Sequence, residues 1–243
     1  MIILSIGMPR AGSGWYYNLT NDLMLAGGAV DARQVRRRYH LQQVLTEVNC
    51  NIGAFTARRV LAVLLPSLLG NTFVIKAHAG PTPYILPVIR RGWARAAYIY
   101  RDPRDALLSA MENGRKAVQY KRSSAFAPLV DFDTAVAFMQ EYEQIWRAWM
   151  AVPQALHARY EDLLTDYDAE ALRLVEFLQL DCRQPQIQAV VERYRPEKAQ
   201  PDQKGLHFSQ GKIGRFRSKM SAEQQARLAQ VFGPALEQMG YPL

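Results

Sequence analysis

Cysteine is nearly missing from this 243-residue chain: only Cys50 and Cys182 are present, far apart and without metal-type spacing. That excludes a disulfide-stapled scaffold and a cysteine-rich metal module. One bridge between the two stays open, and a reducing cytoplasm is their simpler setting. Histidine is scarce too. His40, His78, His157 and His207 are dispersed, so no bound metal is expected. The chain also lacks a membrane-spanning run: residues 60–69 are apolar but broken by Pro66, and fall short of the ~18 residues a span requires. Residues 1–6 have no basic lead and only a short apolar run, so they do not read as a signal peptide. A cytoplasmic protein without stable membrane insertion is expected. Internal repeats, low-complexity tracts and a composition break are absent as well, which predicts one domain over residues 1–243.

Acidic residues are in the minority, 22 Asp and Glu against 30 Lys and Arg, for a formal net charge of +8. That balance favours an anionic partner. Nucleic acid, anionic lipid, acidic polysaccharide and a nucleotide cofactor all satisfy it, so charge alone selects none of them. With 49% apolar residues the chain has the material for a large core.

Residues 1–6 form a continuous apolar run with β-branched members, followed at once by Gly7 and Pro9. This is the pattern of a buried parallel strand entering a tight loop. Residues 72–76 and 94–100 repeat it, and 155–160 do so more weakly. Helical spacing marks 13–25, where Trp15, Leu19 and Leu23 recur. Further helices are predicted over 53–69, 82–91, 103–113, 132–150, 168–178, 185–194 and 222–238, the last with Ser221 as N-cap. Residues 195–219 lack periodicity and read as a long loop. Strands alternating with helices predict an α/β fold, a parallel sheet flanked by helices on both faces.

The turn between the first strand and the first helix, Gly7-Met8-Pro9-Arg10-Ala11-Gly12-Ser13-Gly14-Trp15, has two glycines at the spacing of a phosphate-binding loop. Small residues there let backbone N–H groups approach an anion, and the following helix adds its N-terminal donors and dipole. The nucleoside-triphosphate version needs a lysine directly after the second glycine. Ser13 stands there instead, and the basic residue, Arg10, lies inside the loop. A cradle without the lysine that reaches the outer phosphates argues against a P-loop kinase using ATP–Mg²⁺.

The same loop resembles the 5′-phosphosulfate loop of the sulfotransferases that use 3′-phosphoadenosine-5′-phosphosulfate (PAPS), usually Pro-Lys-Ser-Gly-Thr-Thr-Trp. Pro9, Gly12 and Trp15 match, Ser13 keeps a hydroxyl, and Arg10 replaces the lysine. Four more blocks follow in the family's order. Val74-Ile75-Lys76-Ala77-His78 is similar to the Lys-Thr-His segment. Tyr98-Ile99-Tyr100-Arg101-Asp102-Pro103-Arg104-Asp105 with Ser109 resembles the 3′-phosphate segment. Tyr160-Glu161-Asp162-Leu163 matches Tyr-Glu-Asp-Leu. Gly211-Lys212-Ile213-Gly214-Arg215-Phe216-Arg217 resembles, less closely, the closing Gly-x-x-Gly-Asp-Trp-Lys, with Ser209-Gln210 where the family has Arg-Lys.

The resemblance implies a three-layer sandwich like that of the P-loop NTPases, and transfer of a sulfuryl group from PAPS to an acceptor hydroxyl, leaving the bisphosphate PAP. It makes His78 the general base, with Lys76 and Arg10 stabilising developing charge. It implies that Arg10, Ala11, Gly12, Ser13 and Gly14 hold the phosphosulfate, that Trp15 stacks on adenine with Tyr160 nearby, and that Arg101 and Ser109 hold the 3′-phosphate. Gly211, Lys212 and Arg215 would close over the cofactor, and which of Lys212, Arg215 and Arg217 reaches the 3′-phosphate is open. The acceptor, a small molecule, lipid or glycan, would lie over 30–55, 79–87 and 114–130. Those stretches carry Arg33, Arg36, Arg37, Arg38, Lys116, Lys121 and Arg122, either as a solvated basic face or to receive an acidic acceptor. A nucleic-acid-binding protein would need a groove-reading helix or aromatic platform, and Arg33–Arg38 alone do not make one, so no nucleic-acid partner is expected.

Overall fold

The structure, a computed structural model, describes residues 1–198 and 211–243. Its centre is a four-stranded, fully parallel sheet made of β1 (Ile2–Gly7), β2 (Phe73–Ala77), β3 (Ala94–Tyr100) and β4 (Leu156–Arg159), in the order β2-β1-β3-β4. Ile2 sits opposite both Phe73 and Ala94, so the two neighbours of β1 start level. All six residues of β1 are buried, as expected of a strand covered on both faces.

The two faces carry separate cores. Ile3, on one face, packs with Trp15, Tyr16 and Leu19 of α1 (Ser13–Ala26). Ile2, Leu4 and Ile6, on the other, pack with Val35 of α2 (Ala32–Arg38), Val60 and Val63 of α3 (Ala57–Leu68), and Val88 and Ile89 of α4 (Leu86–Arg90). That second core also takes the apolar sides of α5 (Pro103–Gln119) and α6 (Phe132–Met150). The first face is completed by α7 (Tyr160–Thr165), α8 (Tyr167–Phe177) and α9 (Pro185–Arg193). The short α10 (Phe216–Lys219) and α11 (Ala222–Met239) return to the second core through Phe216, Leu228, Phe232 and Leu236. Two 3-10 turns, Ala127–Val130 and Pro196–Lys198, complete the described elements. The α/β, parallel, doubly covered architecture agrees with the sequence.

Several boundaries differ, each for a local reason. The helix expected from residue 53 starts at Ala57, because the Thr56 side chain accepts from the Arg59 N–H and caps it there. The one expected over 82–91 shrinks to Leu86–Arg90. The helix expected to stop near 113 runs on to Gln119, since Gly114 admits the Phe126 carbonyl oxygen to 2.3 Å of where a β-carbon would stand. Helix α2 was not foreseen: four of its seven residues are arginines and only Ala32 and Val35 are buried, so no apolar period marks it. The loop expected over 195–219 contains a 3-10 turn and α10, and its middle, 199–210 with Ser209 and Gln210, lies outside the described residues. Cys50 is buried and Cys182 exposed, both as free thiols, so the open disulfide alternative falls. Among the described residues no helix is long and apolar enough to cross a membrane.

Candidate active site

The turn from β1 into α1 is shaped by contacts that leave no room for side chains. A β-carbon on Gly7 would stand 2.7 Å from Ile99 Cγ2 and 2.8 Å from Ser13 Cβ. Gly12, the residue before α1, has φ 73° and no side-chain cap, and a β-carbon there would meet the Tyr160 ring at 2.5 Å. Arg10 also takes a positive φ, 65°, an uncommon conformation for a side-chain-bearing residue. Among the described residues no acceptor meets the N–H of Gly12, Ser13 or Gly14, and the first turn of α1 holds no acidic side chain. A helix N-terminus of this kind offers donors and positive potential to an anion. Ala11 departs from expectation. Its N–H donates to the Met8 carbonyl and its side chain belongs to the core, so the tight turn turns it away from the site.

In front of this turn lies a cavity of about 270 Å³. Its walls bring together Arg10, Gly12, Ser13, Gly14, Trp15, Lys76, His78, Arg101, Ser109, Tyr160, Gly211, Lys212 and Arg215, residues that the sequence distributes over more than two hundred positions. Asn113, Ser124 and Phe126 also line it; the last two fall within the stretch 114–130 expected beside the acceptor, and Asn113 was missed. Asn113 sits one turn beyond Ser109 on α5, a spacing that places both on one face. Phe126 carries the Arg10 guanidinium over its ring at 5.7 Å, a contact with no signature in sequence.

Lys76 and His78 stand at the carboxyl end of β2, where open α/β sheets bind ligands. His78 Nδ1 lies 2.6 Å from the Gly7 carbonyl oxygen. A carbonyl only accepts, so in the neutral ring Nδ1 carries the proton and Nε2 keeps its lone pair. Burial first, and the Lys76 charge second, push the His78 pKa down to about 4, against the opposing pull of the Gly7 carbonyl. Burial and then Arg10 push Lys76 down to about 8. Burial and then Arg101 lower Arg10. Lys76 is only 7% exposed and, among the described residues, meets no carboxylate. Buried basic groups that depress one another's charge, beside backbone donors without an acceptor among the described residues, are suited to an anion, whose negative charge opposes each of these shifts.

The opposite wall is built on Arg101, at the end of β3. Asp102 caps α5 through the Arg104 N–H, and Pro103 opens the helix, so the chain turns sharply here. The Arg101 guanidinium lies 4.6 Å from the Tyr160 ring centroid and donates to the backbone carbonyls of Arg10 and Lys212. Arg10 Nε donates to Ser109 Oγ at 3.1 Å, which ties the β1–α1 turn to α5. Of the three late basic residues, Arg215 is paired with both Glu112 oxygens and Arg217 is outside the lining. Lys212 lines the cavity with no carboxylate partner among the described residues.

Trp15 is packed more tightly than a stacking platform requires. It is 1% exposed, with Tyr167 parallel at 6.1 Å, Tyr160 edge-on at 6.3 Å, and Nε1 donating to the Tyr194 carbonyl. Arg33 and Arg36, for which a solvated face and an acceptor-facing role were both open, donate to the Val48 and Leu45 carbonyls and so hold their own loop. Arg37, Arg38, Lys116, Lys121 and Arg122 are exposed.

A family model described as "Sulfotransferase domain" matches residues 2–240. No curated protein sequence matches the chain. Among solved structures, retinol dehydratase in complex with androsterone and inactive cofactor PAP superposes with a TM-score of 0.60 at 18% identity, over 97% of this chain and 80% of that one. The same enzyme with retinol and PAP gives 0.61 at 18% identity, covering 97% and 81%. A mouse sulfotransferase complexed with PAP gives 0.59 at 12% identity, covering 97% and 83%. At such identities the likeness is one of fold.

Proposed function

The chain belongs to the sulfotransferase family, and on that premise we propose that it transfers a sulfuryl group from PAPS to an acceptor hydroxyl at the cavity between β1, β2 and β3. The observation that carries this is a cavity lined by Gly12, Ser13 and Gly14, whose N–H groups meet no acceptor among the described residues, and by Arg10, Lys76 and His78, all held below their ordinary pKa values. These residues fit a phosphosulfate. Arg101 and Ser109 fit a second phosphate at the other end, with Lys212 the late cation best able to join them. PAPS, when bound, supplies the activated sulfuryl group.

The chain's own part is proton transfer, charge and position. With Nδ1–H fixed on Gly7, the His78 Nε2 lone pair accepts the acceptor's hydroxyl proton. Lys76 and Arg10 hold positive charge on the cavity wall where negative charge develops, and the α1 donors need no reorganisation to assist them. Trp15 and Tyr160 wall the adenosine side. For the acceptor, the half-buried run Phe126, Phe138 and Tyr142 favours a flat apolar alcohol over an acidic glycan. The ring centroids of this run are 6.2 and 4.9 Å apart, and Phe126 reaches the cavity.

Two measurements test the reading. PAP at about 100 times its dissociation constant is expected to stabilise the fold by roughly 2.7 kcal/mol. A shift with ATP–Mg²⁺ and none with PAP would favour a kinase instead. Arg101→Ala is expected to weaken PAP roughly 10- to 100-fold and AMP far less, since AMP lacks the 3′-phosphate. Equal losses for both ligands would assign Arg101 to the fold.

A further inference from the structure

Asp105 plays no part in the chemistry proposed above, yet it is the most completely enclosed carboxylate near the cavity. Its side chain is 0% exposed. It accepts three hydrogen bonds, two from one distant segment and one from Arg101, four residues before it. Oδ2 takes the Gly214 N–H at 2.7 Å and an Arg101 Nη2 proton at 3.4 Å, and Oδ1 takes the Phe216 N–H at 3.0 Å. The same Arg101 Nη2 donates to the Lys212 carbonyl at 2.9 Å. The segment 211–216 is therefore riveted to α5 by one carboxylate, and the guanidinium of Arg101 is held between the carboxylate and the segment. Gly214 adopts φ 73°, and that turn aims its N–H and the Phe216 N–H at a single acceptor. Phe216, 3% exposed and lying beneath the Arg104 guanidinium at 4.2 Å, keeps the segment from sliding away.

We propose that Asp105 is a positioning residue that couples the aim of Arg101 to the seating of segment 211–216, so that recognition of a 3′-phosphate by Arg101 and Lys212 is one linked event. This rests on the proposed reading of Arg101 as the 3′-phosphate residue. Two effects of the carboxylate oppose each other. Its negative charge lies near the proposed phosphate and by itself disfavours binding. Against that, a buried carboxylate satisfying two backbone N–H groups fixes where the cations stand, and a bidentate phosphate contact depends steeply on that placement. At 3.4 Å the direct contact to Arg101 is the longest of the three, while the two amide bonds are short, so placement outweighs neutralisation.

The test uses Asp105→Asn in the full chain. The amide keeps the size but presents an NH₂ where one backbone N–H needs an acceptor. We expect PAP affinity to fall roughly 10- to 100-fold, AMP affinity to change by less than about threefold, and kcat at saturating donor to stay within about threefold. Hydrogen exchange at the Gly214 and Phe216 amides is expected to speed up in the variant. Equal weakening of PAP and AMP would make Asp105 a plain fold residue, and tighter PAP binding would make it only a counter-charge. Either result overturns the proposal. Should the variant not fold, Gly214→Ala breaks the same link from the other side, because a β-carbon disfavours its positive φ. It is expected to show the same PAP-selective loss, and an AMP loss of equal size would overturn the proposal. Arg101→Ala separates the two readings. If it is PAP-selective and Asp105→Asn is not, the coupling fails alone; if neither is selective, the assignment of Arg101 fails with it.

Discussion

His78→Ala is expected to lower turnover about 10²–10⁴-fold while PAP affinity stays within a few-fold of wild type. The split follows from placement. His78 leans on the Gly7 carbonyl, whereas the groups proposed to hold the anion are the α1 donors, Arg10 and Lys76. The pH profile gives an independent check. From the sequence the acid limb belongs near histidine's ordinary ~6.5, but burial and Lys76 move the free-enzyme group to about 4. The limb in kcat/KM for the donor is therefore expected near 4. The limb in kcat, with an anion bound beside the ring, is expected at higher pH, because the anion favours the imidazolium. Stability has a definite sign as well. Between about 6.5 and 4 the unfolded chain takes up a proton at His78 that the folded chain refuses, so this group lowers stability as pH falls through that window. His78→Ala should flatten that dependence. Retained turnover in the variant would remove His78 from the mechanism, and a drop in Tm alone would mark it as packing.

Gly12→Ala is expected to be the most damaging single-atom-scale change in the cradle, with PAP affinity falling by about 10²-fold or more and Tm falling with it. The new β-carbon would overlap the Tyr160 ring at 2.5 Å and sit on a residue with φ 73°. The conformation alone costs roughly 1–2 kcal/mol. Relief of the overlap must move either Tyr160, which lies against Arg101, or the first turn of α1. The second movement misaims the donors, and hydrogen bonds to a charged group contribute about 1.5–3 kcal/mol each. Calorimetry with PAP and a melting curve without it separate the two losses. Near-normal PAP affinity would show that the backbone at 12–14 does not hold the anion.

Much of this site was legible because its parts are local. A β-branched run ending in Gly7, and a tyrosine-rich run ending in Arg101, declare strands whose carboxyl ends must meet, and the glycines declare a loop too tight for side chains. What sequence did not disclose depends on convergence. Sequence does not show that Trp15 lies parallel to Tyr167, and Ala11 reads as part of the cradle until its N–H is found on Met8. Arg33 and Arg36 read as either a solvated face or an acceptor-facing patch, yet each donates to a carbonyl of the loop that follows. Helix α2 hid because arginine has good helix propensity but draws no apolar stripe. The role of Asp105 depends on residues 101, 214 and 216, and no spacing in the chain announces it.

The strand order has a consequence for synthesis. β1 precedes the other three strands in the chain and occupies an interior position in the sheet, but its first partner begins at Phe73 and its second at Ala94. At about 5–20 residues per second, this largely apolar strand waits on the order of 4–14 s before another strand can pair with it. Pairings this distant in sequence close slowly. During that interval it is an unpaired edge that other nascent chains can recruit. Yield in a cell is thus expected to depend on translation rate and holdase supply more than on the stability of the finished fold.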